Sequence, residues 1–410
     1  VMNNRQKMLF IDALFEGGRM FVGGISVAFM LTRGISPASV VLIKALQAAV
    51  VFWGELPTGI IGDRFGRKVS LLTSVVCAFL GFLCNLNGHS LIAFLVGEFL
   101  MALSICFWSG SYEALAMDVC QIAGNKEAVS EFFHLNATIN QLAVVSAGFC
   151  SGLLIGPNSN YAYAFIGALL GMVCLGVLLI LSPKESHIPD LQKTFSQGTQ
   201  YLFKVSLRTV WHNSQIRATV GAMIFLQFLA QPVLHYWQPL SQSALGFSGR
   251  DLSFLFSLFC LGSAVLIFIL KYFKNLKNAY LLPLWAFFIL LLGLGTARGQ
   301  ILGALMLVQM SYSYLRSTTN SNIAFHAPCE HRASILSAAN FLARIGMLGS
   351  LGLIGLLFKY AISPNLPTTY SRLFLIYGII GVMGSLLFFL LRLKTKTPEL
   401  SPQPKELPKI

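Results

Sequence analysis

Charged residues stand inside long apolar stretches of this sequence, where a charge costs at least about 2.5 to 3.5 kcal/mol if the stretch lies in a bilayer. The first stretch contains Asp12, Glu16 and Arg19. At about 100° per residue of an α-helix, these three side chains share one face. Either Glu16 and Arg19 neutralise each other as an ion pair within the helix, or the face lines a cavity that binds a proton or a solute. The sequence leaves both interpretations open.

The fourth apolar stretch adds two carboxylates, Glu98 and Glu113, which also project in similar directions on a helix. A carboxyl group in a low-dielectric cavity can bind and release a proton near neutral pH. We therefore predict proton-coupling roles for Asp12, Glu16, Glu98 and Glu113. We favour Glu98 over Glu113 because Glu98 lies further from the end of the stretch that the charge pattern assigns to the cytoplasm. Glu113 and Asp118, near that end, are predicted partners of cytoplasmic arginines.

The second half of the sequence buries arginines and amides rather than carboxylates. In the tenth apolar stretch, the side chains that share one helical face are Gln309, Tyr312, Arg316, Thr319 and Asn320. Arg316 keeps its charge at any depth, because arginine is not deprotonated in proteins. It must meet a first-half carboxylate, cavity water, or an anionic group on a solute, which it could bind through two parallel hydrogen bonds. Asn340 and Arg344 repeat the pattern in the eleventh stretch.

Amide and imidazole side chains elsewhere give a weaker functional signal. Asn136 and Asn140 lie one helical turn apart, and we interpret them as hydrogen-bonding contacts between membrane helices, worth about 0.6 kcal/mol each. One side of the seventh stretch carries Gln227, Gln231, His235 and Gln238. His235 is either a hydrogen-bonded packing residue or a proton relay. The predicted solute-binding residues are Arg19, Gln227, Gln231, His235, Tyr312, Arg316, Asn320, Asn340 and Arg344.

The composition requires that lipid be the main solvent of this chain. Its 410 residues are 55% hydrophobic and 11% charged, whereas soluble domains carry about 25% charged residues. A net charge of +14 would suggest nucleic acid in a soluble protein. Here the charges cluster in short loops between apolar stretches, so we predict no nucleic-acid partner. The eight cysteines include no C-x-x-C and mostly fall in apolar stretches, which indicates packing rather than metal binding.

The sequence contains no recognisable motif for catalysis or nucleotide binding. It contains no Walker-type G-x-x-x-x-G-K-[ST] pattern, no cluster with metal-ligand spacing and no nucleophile–base motif. We therefore predict a protein that is not an enzyme, uses no cofactor or metal, and is not driven directly by ATP.

The spacing of the apolar stretches predicts an all-α membrane protein with twelve transmembrane helices, because about 20 helical residues cross a bilayer core of about 30 Å. The predicted spans are 8–31, 37–60, 69–87, 90–117, 132–155, 161–182, 216–238, 251–273, 279–297, 300–325, 333–358 and 368–391. They predict two six-helix bundles, 1–182 and 216–391, with a cytoplasmic linker at 183–215 and a disordered cytoplasmic tail at 392–410. Within the linker, 200–212 is a predicted amphipathic surface helix. Lys and Arg concentrate in alternate loops, which predicts that both termini are cytoplasmic.

The loop after the second span, residues 59–71, reads Gly-Ile-Ile-Gly-Asp-Arg-Phe-Gly-Arg-Lys-Val-Ser-Leu. This order of glycines, Asp-Arg and Gly-Arg-Lys resembles the signature of the major facilitator superfamily, which lies between the second and third membrane helices. The resemblance implies a transporter with two six-helix halves around a central cavity that opens to each side in turn.

A cytoplasmic gate is predicted around this loop. Asp63 can face the positive N-terminus of the eleventh helix, and the basic residues can bridge to acids such as Asp118. These contacts would hold the two halves together when the cavity opens outward. The predicted gate residues are Gly59, Asp63, Arg64, Gly66, Arg67, Lys68, Asp118 and Arg332.

Segments 97–99, 109–118 and 322–337 resemble bacterial drug and metabolite facilitators, with siderophore transporters among the candidates. Together with the intramembrane charges, this resemblance predicts a proton-coupled secondary active transporter. Its solute would be a carboxylate-bearing metabolite, a siderophore or a drug-like compound. The alternatives are a lipid-handling facilitator and a transport-inactive sensor with the same fold. The predicted partners are the solute, the proton and the lipid bilayer, for a monomeric multi-pass protein of the bacterial inner membrane.

Overall fold

The computed structural model describes residues 3–109, 111–120, 126–182, 207–270, 278–326, 332–362 and 368–394. These residues form α-helices joined by short turns, and none of them belongs to a β-strand. Most of the predicted linker (183–206) and most of the predicted tail (395–410) lie outside the described residues. The prediction of an all-α protein is therefore confirmed for the part of the chain that the structure describes.

The helices of the first half are α1 (Asn4–Met20), α2 (Ser26–Thr32), α3 (Pro37–Phe65), α4 (Arg67–Leu86), α5 (Leu91–Trp108), α6 (Ser111–Val119), α7 (Lys126–Ile155) and α8 (Ala162–Leu181). Those of the second half are α9 (Ser214–Leu240), α10 (Gly249–Leu270), α11 (Asn278–Leu294), α12 (Arg298–His326), α13 (Arg332–Tyr360) and α14 (Thr369–Lys394). A π-helical turn, Ser241–Leu245, extends α9. Residues 207–212, the described part of the predicted amphipathic helix, are also helical.

Each of the twelve predicted spans overlaps one helix or two consecutive helices. Within the described residues, nine helical segments are long and apolar enough to cross a membrane, so the chain is a multi-pass membrane protein. The first, ninth and tenth predicted spans are not among these nine. The first is split between α1 and α2, α11 has a short apolar core at Leu281–Leu294, and α12 carries a polar face. The count of twelve crossings stays a prediction.

The first predicted span is wrong as a continuous helix, because the chain breaks at residues 21–25 between α1 and α2. Gln238 of α9 fills the break. Its Oε1 accepts hydrogen bonds from the backbone N–H groups of Val27 and Ala28 at 2.9 and 3.0 Å, and its Nε2 donates to the Gly23 carbonyl at 3.0 Å. A broken membrane helix frees backbone polar groups that must be satisfied inside the protein. A side chain from the second half therefore completes the first helix of the chain.

Two other predicted boundaries are corrected. The fourth span is divided into α5 and α6, since Ser109 after α5 adopts an extended backbone with ψ of 141°. The predicted tail begins too early, because α14 continues to Lys394. Leucine, arginine and lysine, which form these last turns, are good helix formers.

The predicted loop at 59–71 is wrong in its length, because α3 continues to Phe65 and α4 begins at Arg67, so the turn between them lies at Gly66. Gly66 has φ of 101°, a region that glycine adopts without the steric cost that other residues meet. At the other end of α3, the Ser36 hydroxyl accepts from the backbone N–H of Ser39 at 3.1 Å, and Pro37 occupies the first helical position. Gly66 thus has the turning role that the loop pattern predicts.

Contacts between helices define the two halves and the two ends of the molecule. Across the halves, α3 packs on α13, α7 on α10, and α2 on α9. At one end, named the amino-terminal face, Asn4 donates to the Val119 carbonyl at 3.5 Å and Lys68 donates to the Ser182 carbonyl at 2.9 Å. At the opposite end, named the Tyr161 face, Gln242 of the π-helical turn donates to the Tyr161 hydroxyl at 3.1 Å.

Candidate functional site

Asp12 of α1 is buried inside the first half, with 6% of its surface exposed. Three side chains donate hydrogen bonds to its carboxylate: Trp108 Nε1 to Oδ1 at 2.7 Å, and Asn136 Nδ2 and Asn140 Nδ2 to Oδ2, each at 2.6 Å. All three donors are neutral. Among the described residues, Asp12 makes no ion pair with a lysine, arginine or histidine.

An aromatic stack fixes the donors around this carboxylate. The Trp108 ring stacks on Phe15 with 3.8 Å between centroids and on Tyr112 with 5.8 Å. The Tyr112 hydroxyl contacts the Met8 carbonyl at 3.0 Å and Asn136 Oδ1 at 3.1 Å. The indole N–H and the Asn136 amide are therefore held in place before any proton or solute arrives.

The two asparagines join helices, as the sequence predicts, but they do so through Asp12. Both lie on α7 and both bind a carboxylate of α1, so the contact is stronger than the neutral one expected, because hydrogen bonds to charged groups exceed neutral ones. Their spacing of one helical turn was the signal available in the sequence. Trp108 gave no comparable signal, since one tryptophan in an apolar helix is usually a packing residue.

Glu16 and Arg19 form the ion pair within α1 that was one of the two predicted interpretations. Arg19 Nη2 lies 2.7 Å from Glu16 Oε2, and the side chains are 23% and 27% exposed. The negative charge of Glu16 acts on Asp12. Glu113 of α6 is exposed, and its interaction with the Asp12 charge brings it into the same electrostatic neighbourhood. Electrostatic repulsion thus links Asp12 to both Glu16 and Glu113, the other predicted proton-coupling residues of α1 and α6.

Glu98 of α5 lies in a different environment, beside Lys44 of α3. Lys44 Nζ is 3.1 Å from Glu98 Oε2, and the side chains are only 8% and 6% exposed. The contact is an ion pair by distance without well-directed hydrogen-bond geometry, since Oε2 has no hydrogen-bond partner. Sequence reasoning missed Lys44. Its signal was a lone lysine in the otherwise apolar span 37–60, which must find a counter-charge.

A cavity of about 200 Å³ adjoins this ion pair within the first half. Its polar lining includes Arg19, Lys44, Asn85 and Glu98, and the rest is mostly aromatic and methionine side chains. The cavity thus connects the Glu16–Arg19 pair with the Lys44–Glu98 pair, a proximity that residue spacing does not predict.

In the second half, the predicted solute-binding residues of α9 and α12 meet. Tyr312 donates from its hydroxyl to Gln227 Oε1 at 3.3 Å, and Gln231 Nε2 donates to the Gln227 carbonyl at 3.0 Å. Arg316 is exposed, and its charge acts on Tyr312. Among the described residues, Arg316 makes no ion pair.

The remaining predicted binding residues are dispersed. Asn320 Oδ1 and His235 Nε2 are buried without a hydrogen-bond partner among the described residues. The Lys44 charge acts on His235, so this histidine of the second half lies near the ion pair of the first. Asn340 and Arg344 are half-buried on α13.

The predicted gate forms contacts at the amino-terminal face, but those described lie within the first half. Arg67 forms an ion pair with Asp118, as the sequence predicts. Lys68 donates to the carbonyls of Ile180 and Ser182 at 3.1 and 2.9 Å. These contacts tie α4 to α6 and α8, so they do not themselves join the two halves. Gly59, Asp63 and Arg64 belong to α3 and Arg332 begins α13, but the side chains of Asp63, Arg64 and Arg332 lie outside the part of the chain that the structure describes.

Hydrogen bonds between the halves run from the middle of the molecule to the Tyr161 face. Gln141 Nε2 donates to the Cys260 carbonyl at 2.9 Å, and the Tyr236 hydroxyl donates to the Pro37 carbonyl at 2.8 Å. With the Gln238 contacts in the α1–α2 break and the Gln242–Tyr161 contact, they close the Tyr161 face between the described helices.

Comparisons with known proteins agree with this architecture. The family model of the Major Facilitator Superfamily matches residues 8–351. An uncharacterized MFS-type transporter, YxaM of Bacillus subtilis (strain 168), is 24% identical over 265 residues, which are 63% of this chain and 64% of that protein. The match therefore spans less than two thirds of the length of this relative.

Solved structures show the same fold. The nucleoside transporter NupG superposes with a TM-score of 0.76 at 15% identity, covering 95% of this chain and 99% of NupG. A D-xylose-proton symporter superposes with a TM-score of 0.71 at 15% identity, covering 93% of this chain and 96% of the symporter. With a family model that matches most of its length, and with this helical architecture, the chain belongs to the major facilitator superfamily.

Proposed function

We propose that this protein is a secondary active transporter that couples the movement of a small organic solute to the movement of protons, with Asp12 as the proton-binding group. The observation that carries the proposal is the Asp12 site. A charged carboxylate buried in a membrane protein without a cation is costly even when it accepts hydrogen bonds, and binding a proton neutralises it. Glu16 and Glu113 add negative charge to the same neighbourhood.

The Asp12 site suits a group that changes charge. Its donors are neutral, so the site has no net positive charge left over when a proton binds. Glu98 suits this role less well, because protonation would leave the buried Lys44 ammonium without its counter-charge. Sequence position favours Glu98 over Glu113 as the proton-binding group, whereas these contacts favour Asp12 over both.

The solute is proposed to carry an anionic group such as a carboxylate, as metabolites, siderophores and many drug-like compounds do. Arg316 supports this choice, because it is exposed beside Tyr312 and has no ion-pair partner among the described residues. Arginine binds a carboxylate through two parallel hydrogen bonds. The contacts that close the Tyr161 face support a form of the alternating-access cycle in which the amino-terminal face, proposed to be cytoplasmic, is the accessible one.

The test has two stages and uses the purified full-length protein. A thermal-shift screen against a metabolite library, at an acidic and at a near-neutral pH, identifies the solute. Uptake of that solute into proteoliposomes is then measured with and without an imposed pH gradient. We expect the gradient to drive accumulation in the parent protein, and Asp12→Asn to abolish accumulation while leaving solute exchange without a gradient.

Arg316→Gln tests whether Arg316 binds the anionic group of the solute. It should weaken binding of an anionic solute more than binding of the corresponding neutral amide or ester. If Asp12→Asn still accumulates the solute with the pH gradient as well as the parent does, the proposed role of Asp12 is wrong. Transport of lipid in place of soluble compounds would instead support the lipid-handling alternative.

A further inference from the structure

Asn136 and Asn140 make matching hydrogen bonds to Asp12 but differ at their carbonyl oxygens. Each donates from Nδ2 to Asp12 Oδ2 at 2.6 Å. Asn136 Oδ1 accepts from the Tyr112 hydroxyl at 3.1 Å. Asn140 Oδ1 is buried and has no hydrogen-bond partner among the described residues. One amide is therefore fixed at both ends, and the other is fixed at one end only.

The orientation of both amides is the one that a charged carboxylate requires. A carboxylate can only accept hydrogen bonds, whereas a carboxylic acid also has one O–H to donate. A proton that binds at Oδ2 meets two N–H groups and no acceptor. The Asn140 amide can supply the acceptor if it turns about its last side-chain torsion, which has a broad two-fold profile. The same rotation of Asn136 would break the hydrogen bond that its Oδ1 accepts from the Tyr112 hydroxyl.

We propose that the orientation of the Asn140 amide depends on the charge of Asp12, an inference that rests on the proposed proton-coupling function. When Asp12 is charged, Asn140 Nδ2 donates to Oδ2. When a proton from water binds at Oδ2, the Asn140 amide turns and its Oδ1 accepts the new O–H hydrogen bond. Trp108 Nε1 can only donate, so Oδ1 of Asp12 stays an acceptor in both states. Asn140 is thus a positioning residue that converts proton binding into a side-chain movement on α7.

Helix α7 is also the element that carries this movement to the second half. The next residue, Gln141, donates to the Cys260 carbonyl of α10 at 2.9 Å. One turn further, the Val145 carbonyl accepts from Ser257 at 2.9 Å. A Cβ on Gly148 would lie 2.5 Å from Ser257 Oγ, so the two helices have little room to slide without a rearrangement. Asn140 therefore precedes by one residue a tightly packed contact between the halves, and α7 is the helix through which its movement would reach that contact.

No charged group around Asp12, among the described residues, could take the proposed role of Asn140. From α1 the facing charge is Glu16, which is paired with Arg19. From α6 the facing groups are Tyr112 and Glu113. The side chains of α5 and α7 that contact Asp12 are neutral, and α8 contains no charged residue. Within the described residues, no cation contacts Asp12 and competes with the amides for its charge.

The test compares Asn140→Leu with Asn136→Leu, because each variant removes one amide from the same oxygen. Tyr112 keeps its contact with the Met8 carbonyl in the Asn136 variant. An infrared pH titration of the full-length protein in lipid nanodiscs follows the Asp12 carboxyl band, which is assigned by its absence in Asp12→Asn. The distance between spin labels at positions 158 and 298, both exposed residues, follows the Tyr161 face in a background without native cysteines.

We expect acidification to change the label distance in the parent and in Asn136→Leu. In Asn140→Leu, and in the smaller Asn140→Ala if leucine prevents folding, the carboxyl band should still titrate while the distance stays constant. The inference is wrong if the Asn140 variants keep the distance response of the parent, or if the parent shows no response although its Asp12 band titrates. If the parent has no titrating Asp12 band, the proposed proton site fails as well, and the infrared measurement separates this case from the other two.

Discussion

Asp12 and Glu98 are both carboxylates buried in the first half, but the protein satisfies them in opposite ways. Asp12 receives three neutral hydrogen bonds from Trp108, Asn136 and Asn140. Glu98 Oε2 lies 3.1 Å from Nζ of the buried Lys44. Neutral N–H donors also favour the charged state of a carboxyl group, but an amide can turn and accept from the protonated form, whereas a lysine ammonium has no acceptor to offer. Two carboxylates of similar burial therefore have different chemistry.

The comparison also separates two uses of buried charge in a membrane protein. The Lys44–Glu98 pair connects α3 to α5 and is electrically neutral as a unit, which suits a structural contact beside a cavity. The Asp12 site connects α1 to α7 and changes its total charge when a proton binds. The Lys44–Glu98 pair is therefore expected to stabilise the packing of α3 on α5. The Asp12 site is expected to control the equilibrium between conformations.

The largest effect on the free energy of unfolding is expected from removing the Lys44 ammonium beside Glu98. Lys44→Met leaves an unpaired buried carboxylate, and the free energy of unfolding should fall by about 3 to 5 kcal/mol. Chemical unfolding in mixed detergent micelles measures the change. The double variant Lys44→Met/Glu98→Met should recover most of the loss, because no charge is left buried. An equal loss in the single and double variants would show that the pair is not held by its charges.

The next largest effect on stability is expected when each buried carboxylate is replaced by its neutral amide. Glu98→Gln leaves the Lys44 ammonium without a counter-charge and should lower the free energy of unfolding by a few kcal/mol. Asp12→Asn leaves no charge behind and keeps one oxygen that can accept hydrogen bonds, so its loss should be smaller, about 2 kcal/mol, because an N–H₂ group replaces the second acceptor oxygen. The same unfolding measurement ranks the two variants. The contrast between the Asp12 and Glu98 sites is wrong if Asp12→Asn is the more destabilised protein.

A smaller effect is expected when one neutral donor is removed. Trp108→Phe keeps a ring for the stack with Phe15 and Tyr112 but loses the indole N–H bond to Asp12. Hydrogen bonds to charged groups contribute about 1.5 to 3 kcal/mol, and the lower part of that range applies because two donors remain. Thermal unfolding at near-neutral pH measures the loss. Trp237→Phe, a tryptophan on another helix, controls for the general cost of a smaller ring.

The smallest effect is expected at the Arg67–Asp118 ion pair, which lies at the amino-terminal face. The side chains are 17% and 27% exposed, so water and salt screen the pair, and Asp118→Asn should cost about 1 kcal/mol or less. High salt should reduce the difference further. A loss as large as that of Lys44→Met would mean that burial does not separate these pairs.

Local spacing was sufficient for the features that depend on one helix or one loop. The Glu16–Arg19 pair follows from a separation of three residues, which brings two side chains together on any α-helix. Gly66 follows from the loop pattern, and the membrane-spanning segments follow from the length of the apolar stretches. Such features need no knowledge of how the helices pack.

The sequence by itself determined that this is an all-helical membrane protein, which residues are charged within it, and which loop carries the family signature. Only the tertiary structure decided the partners: Lys44 for Glu98, two asparagines and Trp108 for Asp12, and Gln238 for the break between α1 and α2. Each of these contacts joins different helices. Their formation depends on the rotation and height of one helix against another, and packing across the whole bundle sets both quantities.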